Sequence, residues 1–137
     1  MFHKIVVPID LAHTSSLKKA LEMAADLAHQ HKAEVIYVGV TSSSPGSVAH
    51  SPEEFGTKLT DFATGQAQKG FATSAKTIVA ADPRTDTDKH LIAAIKELGA
   101  DLVVMQTHLP NVADYIWAGH GVSVASHVTA SVFLVRD

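Results

Sequence analysis

The first apolar run of the chain, Lys4-Ile-Val-Val-Pro-Ile9, leads directly into an acid, Asp10. A carboxylate in that place can accept hydrogen bonds from an amine or a sugar hydroxyl. The second run, Glu34-Val-Ile-Tyr-Val-Gly-Val40, ends at a residue whose backbone groups suit the edge of a flat ring. A later run, Asp101-Leu-Val-Val-Met105, empties into the polar break Gln106-Thr107-His108-Leu109-Pro110, and Gly119-His120-Gly121 then opens an amphipathic segment reaching Val128. Gly119 and Gly121 would let backbone amides approach a phosphate closely at the start of a helix. The turn Ala81-Asp82-Pro83 adds a fourth such position. In the plainer reading, Asp10 only caps its own turn and the glycines only permit theirs; spacing alone leaves both readings open.

Other chemistries find less support. The chain has nine histidines and no cysteine, which excludes disulfides and thiol chemistry. His29 and His31 are two apart and do not share a helical face, and His120 and His127 are two turns apart, too far for one ion without help from another chain. No His-Glu-x-x-His pattern is present, so no metal site is expected and most histidines belong on the surface. There is no Gly-x-Ser-x-Gly elbow, so no catalytic residue is assigned. A phosphoacceptor receiver would need an acidic pair, a third-strand Asp and a late Lys; only Asp10 and Asp82 fit. His13-Thr-Ser-Ser16 faintly echoes the phosphate loop of a flavodoxin, and Tyr115 and Trp117 more simply pack against a neighbour than stack on a flavin.

Positioning these residues requires alternating strands and helices. Continuous β-branched runs suit strands buried on both faces, as in a parallel sheet. Pro8 is tolerable at a strand end. Thr14, Ser15 or Ser16 is expected to cap a helix whose inner face is Leu17, Ala20, Leu21, Ala24, Leu27 and Ala28. Thr41 to His50 reads as a mobile loop. Ser51-Pro-Glu-Glu54 combines a Ser cap, Pro at the first helical position and a Glu for a capping box. Phe55, Leu59, Phe62 and Gln66 share that helix's face, a third strand is expected at Thr77-Ile-Val-Ala80, and Gly99 stops a helix carrying Leu91, Ile92, Ile95 and Leu98. Asp101–Met105 and Val132–Val135, with the segment between them, form a βαβ unit. About five alternating strands predict an open α/β parallel sheet covered on both faces, in one domain over 1–137. In such sheets ligands bind outside the carboxyl ends of the strands.

Bulk properties narrow the partners. With 137 residues, 46% hydrophobic and 18% charged, the chain can bury a proper core. A net charge of -3 leaves no basic footprint for nucleic acid. No apolar run approaches the roughly 20 residues of a membrane span. Met1-Phe-His-Lys-Ile flows into a strand pattern without a signal-peptide core, so the expected location is cytoplasmic.

Ile5-Val-Val-Pro-Ile-Asp10, Glu34-Val-Ile-Tyr-Val-Gly-Val40, Ala100-Asp-Leu-Val-Val-Met105 and the tail from Ala118 to Arg136 together resemble the universal stress protein family. The resemblance spans nearly the whole chain. It is closest to the universal stress protein F-like subgroup, whose loop reads Ser-His-Arg-Pro where this chain has Thr107-His-Leu-Pro110. The resemblance implies a Rossmann-like, adenine nucleotide alpha hydrolase-like fold with strand order 3-2-1-4-5. It implies homodimers that pair through the last strand, and ATP binding in many members. On that pattern Asp10 faces ribose or adenine, and Val40 holds adenine through its backbone. Met105, Gln106, Thr107, His108, Leu109 and Pro110, with Gly119, His120 and Gly121, wrap the ribose and phosphates.

The ATP-binding members carry Gly-x-x-Gly followed by Gly-Ser or Gly-Thr, and this chain departs at every element. Gln106 and Leu109 replace the first two glycines, Ala118 the third, and Gly119 the hydroxyl residue; Ala81 stands where Gly is frequent. A hydrogen bond to a charged phosphate contributes roughly 1.5–3 kcal/mol, so losing two moves a micromolar site by about two to four decades. Gly121 and His120 offset part of this as a close amide and a donor. The expectation is a stress-response binding module with a degenerate crevice for ATP or another adenine nucleotide, and Mg²⁺ only alongside ATP. A protein partner, as yet unknown, is also expected. The alternative is slow Mg²⁺-dependent ATP hydrolysis in the same crevice; a third possibility is a vestigial crevice beside a working dimer surface.

Overall fold

In the computed structural model, which describes residues 1–82, 87–107 and 120–136, the apolar runs become strands of one parallel sheet. β1 is Lys4–Pro8, β2 Glu34–Thr41, β3 Thr73–Val79, β4 Leu102–Thr107 and β5 Ser131–Arg136, in the order β3-β2-β1-β4-β5. Every neighbouring pair is parallel, with Lys4 opposite Glu34 and Leu102 opposite Ser131. A 3-10 helix over Leu11–Leu17 precedes α1, Lys18–His31; α2 is Pro52–Ala67, α3 Thr87–Leu98 and α4 Gly121–His127.

The central strands are apolar because each of their faces meets helices. Ile5, Val7, Val35, Tyr37, Leu102 and Val104 join Ala20, Ala24, Phe55 and Leu59 under α1 and α2. Their alternating neighbours Val6, Ile36, Val38, Val103 and Met105 join Leu91, Ile95 and Val124 under α3 and α4. A strand buried on both sides has no reason to alternate. The winding reverses between β1 and β4, and in open sheets of this kind ligands bind at the carboxyl ends of the strands near such a reversal.

Helix ends follow local chemistry. Ser51 Oγ accepts from the Glu54 amide at 3.1 Å, and the Glu54 carboxylate accepts from the His50 amide at 3.1 Å, closing the capping box one residue further out than usual. That amide, with Lys58 second, holds the Glu54 carboxyl below its ordinary range. Gly99, at φ 68°, ends α3 in a Schellman motif, with Ala100 N–H on the Ile95 carbonyl and Gly99 N–H on the Lys96 carbonyl. Asp101 then clamps the start of β1, accepting from the His3 and Lys4 amides at 2.8 and 3.0 Å.

Two expectations are corrected. No Thr or Ser side chain caps α1: its N-cap is Leu17, without a side-chain bond, while Ser16 Oγ donates to the His13 carbonyl. The intervening residues take 3-10 turns instead, with Asp10 as their cap. β3 starts at Thr73, four residues before the expected Thr77, because an edge strand needs no apolar run and most of β3 is only half-buried. Within the loop over 42–50, Gly46 N–H meets the Ala49 carbonyl at 2.9 Å, and Lys58 Nζ donates to the Val48 carbonyl.

Tyr37 shows a cost inside the core. Its hydroxyl is fully buried with no partner among the described residues, and its ring meets Phe62 edge-on at 5.4 Å. Burial pushes its phenol pKa upward. Tyr37→Phe removes only the stranded polar atom, so stability is expected to rise by about 1 kcal/mol, or about 3–5 °C in Tm. A fall in Tm on thermal denaturation would show that the hydroxyl is bonded.

Candidate functional site

A pocket of about 390 Å³ opens where β1 and β2 end. Its size falls in the usual range for small-molecule sites, roughly 300–1,000 Å³. Ile9, Asp10 and His13 form one wall, Val40, Thr41 and Ser42 the next, and Val48, Ala49 and Phe55 the roof, with Asp82 also lining it. β1 stops at Pro8 opposite Val38, whereas β2 runs on to Thr41 and pairs there only with β3. The edge of β2 at Val40 that β1 no longer covers therefore opens on the pocket. The Val40 side chain itself is buried on the other face of the sheet, so the residue offers backbone rather than side chain.

Asp10 and Val40, expected to work together, do share this pocket. Asp10 is only 4% exposed, and its carboxylate is already engaged: Oδ1 accepts from the Ala12 amide at 3.1 Å, and Oδ2 meets His13 Nδ1 at 3.0 Å. The capping role considered for Asp10 is thus real. The same carboxylate also meets the imidazole of His13, another residue lining the pocket. His13, noted from sequence only in a faint echo of a phosphate loop, was not paired with Asp10 there; the signal was the three-residue step between them, which one helical turn brings together.

The β4 residues divide. Met105 is buried under α3 and α4, leaving only its backbone for a ligand. Gln106 belongs to β4 rather than to the loop expected to begin there. It is 4% exposed, and its Oε1 accepts from the Ala20 amide at 3.2 Å. The first amides of a helix lack intrahelical acceptors, and α1 has no side-chain cap of its own. Gln106 supplies one from the neighbouring strand. Thr107 Oγ1 donates to the Val135 carbonyl at 3.4 Å, tying β4 to β5.

On the far side, His120 is the N-cap residue of α4, without a side-chain capping bond. Its charge contributes to the low pKa of Asp88, whose first cause is the Ser123 hydroxyl donating at 2.8 Å. A Cβ at Gly121 would lie 2.6 Å from Cδ2 of the exposed Leu134 side chain, which would have to turn aside. His108, Leu109, Pro110 and Gly119, also expected in the crevice, lie outside the described residues, as does Pro83 of the turn after β3. Among the described residues, no three His, Asp or Glu side chains come together as metal ligands, and no helix is long and apolar enough to cross a membrane.

An open parallel sheet in the order β3-β2-β1-β4-β5, with helices on both faces and a pocket at the carboxyl ends of β1 and β2, is a Rossmann-like α/β arrangement. Within that class the chain belongs to the universal stress protein family, whose model matches residues 1–136. The fold is shared with a universal stress protein family member from Burkholderia pseudomallei at TM-score 0.68 and 20% identity, covering 98% of this chain and 96% of that one. It is also shared with the universal stress protein of Archaeoglobus fulgidus in complex with dAMP, at TM-score 0.65 and 17% identity, covering 97% of each chain. A family protein from Arabidopsis thaliana with AMP bound matches at TM-score 0.64 and 16% identity, covering 98% of this chain and 91% of that one. No curated protein matches the sequence.

Proposed function

We propose that this chain is a stress-response binding module that takes an adenine nucleotide in the Asp10–Val40 pocket and acts as a cytoplasmic homodimer. The observation that carries the reading is the pocket itself, which a buried carboxylate and an open strand edge, from the ends of adjacent strands, both line. Family structures from Archaeoglobus fulgidus and Arabidopsis thaliana hold dAMP and AMP, which supports the ligand class. In this reading the base and sugar are held by Asp10, Val40 and their neighbours. The phosphates meet a weak crevice formed by Met105, Gln106, Thr107, His108, Leu109, Pro110, Gly119, His120 and Gly121. Gln106 supports the weakness, since its side-chain oxygen is engaged with α1 rather than replaced by the small residue a phosphate loop wants. We infer membership of the F-like subgroup from the resemblance of the sequence Thr107 to Pro110.

The homodimer is proposed through β5. It is an edge strand carrying Phe133 and Leu134 at 41% and 38% exposure, with Val122 of α4 at 71%. Unprotected apolar edges are natural pairing sites. Mg²⁺ enters only as a companion of bound ATP. Turnover is the alternative reading, and phosphate release measured beside binding separates the two.

The test is thermal denaturation with millimolar adenosine, AMP, cyclic AMP and ATP, the last with and without Mg²⁺. A ligand bound only by the folded state raises Tm by mass action. AMP and ATP are expected to give similar upward shifts, because the additional phosphates gain little. No shift with any of them contradicts the reading, and a much larger shift with ATP contradicts the weakened phosphate site.

A further inference from the structure

We propose that Glu54 and Lys58, one turn apart on α2, form a latch that holds segment 42–50 closed over the pocket and so sets how fast a ligand enters and leaves. The ligand rests on the adenine-nucleotide reading; the latch does not. The segment is fixed at both ends. Thr41 closes β2, where its carbonyl accepts from the Ala80 amide at 2.9 Å, and Ser51 caps α2. Between those points the chain forms neither helix nor strand, and residues 43–47 are exposed. Yet Ser42, Ser44 and residues 46–49 line the pocket, so this one segment supplies much of its lining. Ala49 is the buried point of the segment, with Val48 partly buried beside it against the core.

The latch grips the backbone on either side of Ala49. Lys58 Nζ donates to the Val48 carbonyl, and the Glu54 carboxylate accepts from the His50 amide at 3.1 Å. The two side chains are themselves joined, Nζ to Oε1, at 3.2 Å. The turn in which Gly46 N–H meets the Ala49 carbonyl at 2.9 Å carries the hold further along the segment. Both latch side chains are partly exposed, 38% for Glu54 and 48% for Lys58, so their ion pair is weak and screened by salt. A weak hold suits a closure that must release, since lids over binding sites open locally while the rest of the fold stays intact. Neither Glu54 nor Lys58 lines the pocket. Loosening the latch therefore destabilises the closed segment equally with and without ligand, and entry and exit speed up together while affinity holds.

The experiment compares wild type with Lys58→Met and Lys58→Arg. Amide hydrogen exchange in the free protein is followed by NMR at Gly46, whose bond to Ala49 neither substitution touches, and at Ala80 as a control. Lys58→Met is expected to speed exchange at Gly46 about three- to tenfold, the size of one partly exposed charged hydrogen bond, and to leave Ala80 unchanged. Lys58→Arg keeps a charged donor and should recover most of the protection. Adenosine binding is then measured by NMR line shapes; the probe is uncharged, so salt acts on the latch and not on the ligand. Lys58→Met should raise the association and dissociation rates by a similar factor with little change in Kd, and added salt should do the same in wild type but not in Lys58→Met. Unchanged Gly46 exchange in Lys58→Met overturns the inference, and so does equal acceleration at Ala80, which would mean general loosening. Faster dissociation with an unchanged association rate makes Lys58 a support of the bound state alone and overturns it as well. A wild type that binds no adenosine overturns the nucleotide reading, while exchange at Gly46 still decides the latch.

Discussion

Gln106→Ala is expected to lower stability by about 1–3 kcal/mol, or about 4–12 °C in Tm. The substitution removes the acceptor of the Ala20 amide, which is buried, and leaves that donor inside the protein. α1 cannot compensate, because Leu17 at its N-cap has no side chain able to accept. Gln106→Gly should be at least as damaging, although glycine is the residue the family's nucleotide-binding loop has there. That outcome separates two accounts of this position. If Gln106 is only a degraded loop residue, glycine should be tolerated and should strengthen ATP binding. If it caps α1 across the sheet, glycine should unfold the protein earlier in urea. A Gly variant as stable as wild type would contradict the capping account.

The second large effect lies at Gly39, which packs against Phe55, a residue lining the pocket. A Cβ at Gly39 would stand 2.9 Å from Cε1 and Cζ of Phe55 and 3.2 Å from Leu59 Cδ2. Both side chains are buried, Leu59 completely, so neither can swing into solvent. Gly39→Ala is therefore expected to cost about 1–3 kcal/mol as overpacking. It should also weaken AMP, since Phe55 lines the pocket and is the group displaced. Trimming the ring relieves the clash, so Gly39→Ala combined with Phe55→Leu should be more stable than the sum of the single changes predicts. A double-mutant cycle by chemical denaturation measures this, and strict additivity would show that the two positions do not press on each other.

These positions also show how far the sequence could be read. β1 and β2 were legible because Lys4–Pro8 and Glu34–Thr41 are buried on both faces and so appear as unbroken apolar runs. Ser51-Pro-Glu-Glu54 and Gly99 were legible because caps are local chemistry, written within a few residues. Asp10 and Val40 could be paired as site residues, since topology brings the carboxyl ends of adjacent strands together. The opening polar stretch of β3, Thr73-Ser-Ala-Lys76, could not be found, because an edge strand with little burial carries no apolar signature.

Gln106 was misplaced for a different reason. An amide at the end of an apolar run looks like the start of a loop unless the partner amide is known, and that partner is 86 residues away in sequence. The serines after Asp10 pointed to a helix cap, yet the chain takes 3-10 turns first and the carboxylate does the capping. Gly121 suggested a phosphate, and its close packing against Leu134 is a tertiary fact that no local pattern records.

The central claim is that the Asp10–Val40 pocket binds the nucleoside part of an adenine nucleotide. Calorimetric titration of the wild-type protein with AMP, repeated with His13→Ala and Ala49→Trp, tests it most directly. Ala49 is a buried residue in the pocket roof, and an indole there would fill the space the base needs. The account predicts saturable binding at one site per chain, weakened by His13→Ala and abolished by Ala49→Trp in a protein that remains folded. Saturable binding that survives a folded Ala49→Trp variant, or none in the wild type at millimolar AMP, would contradict it.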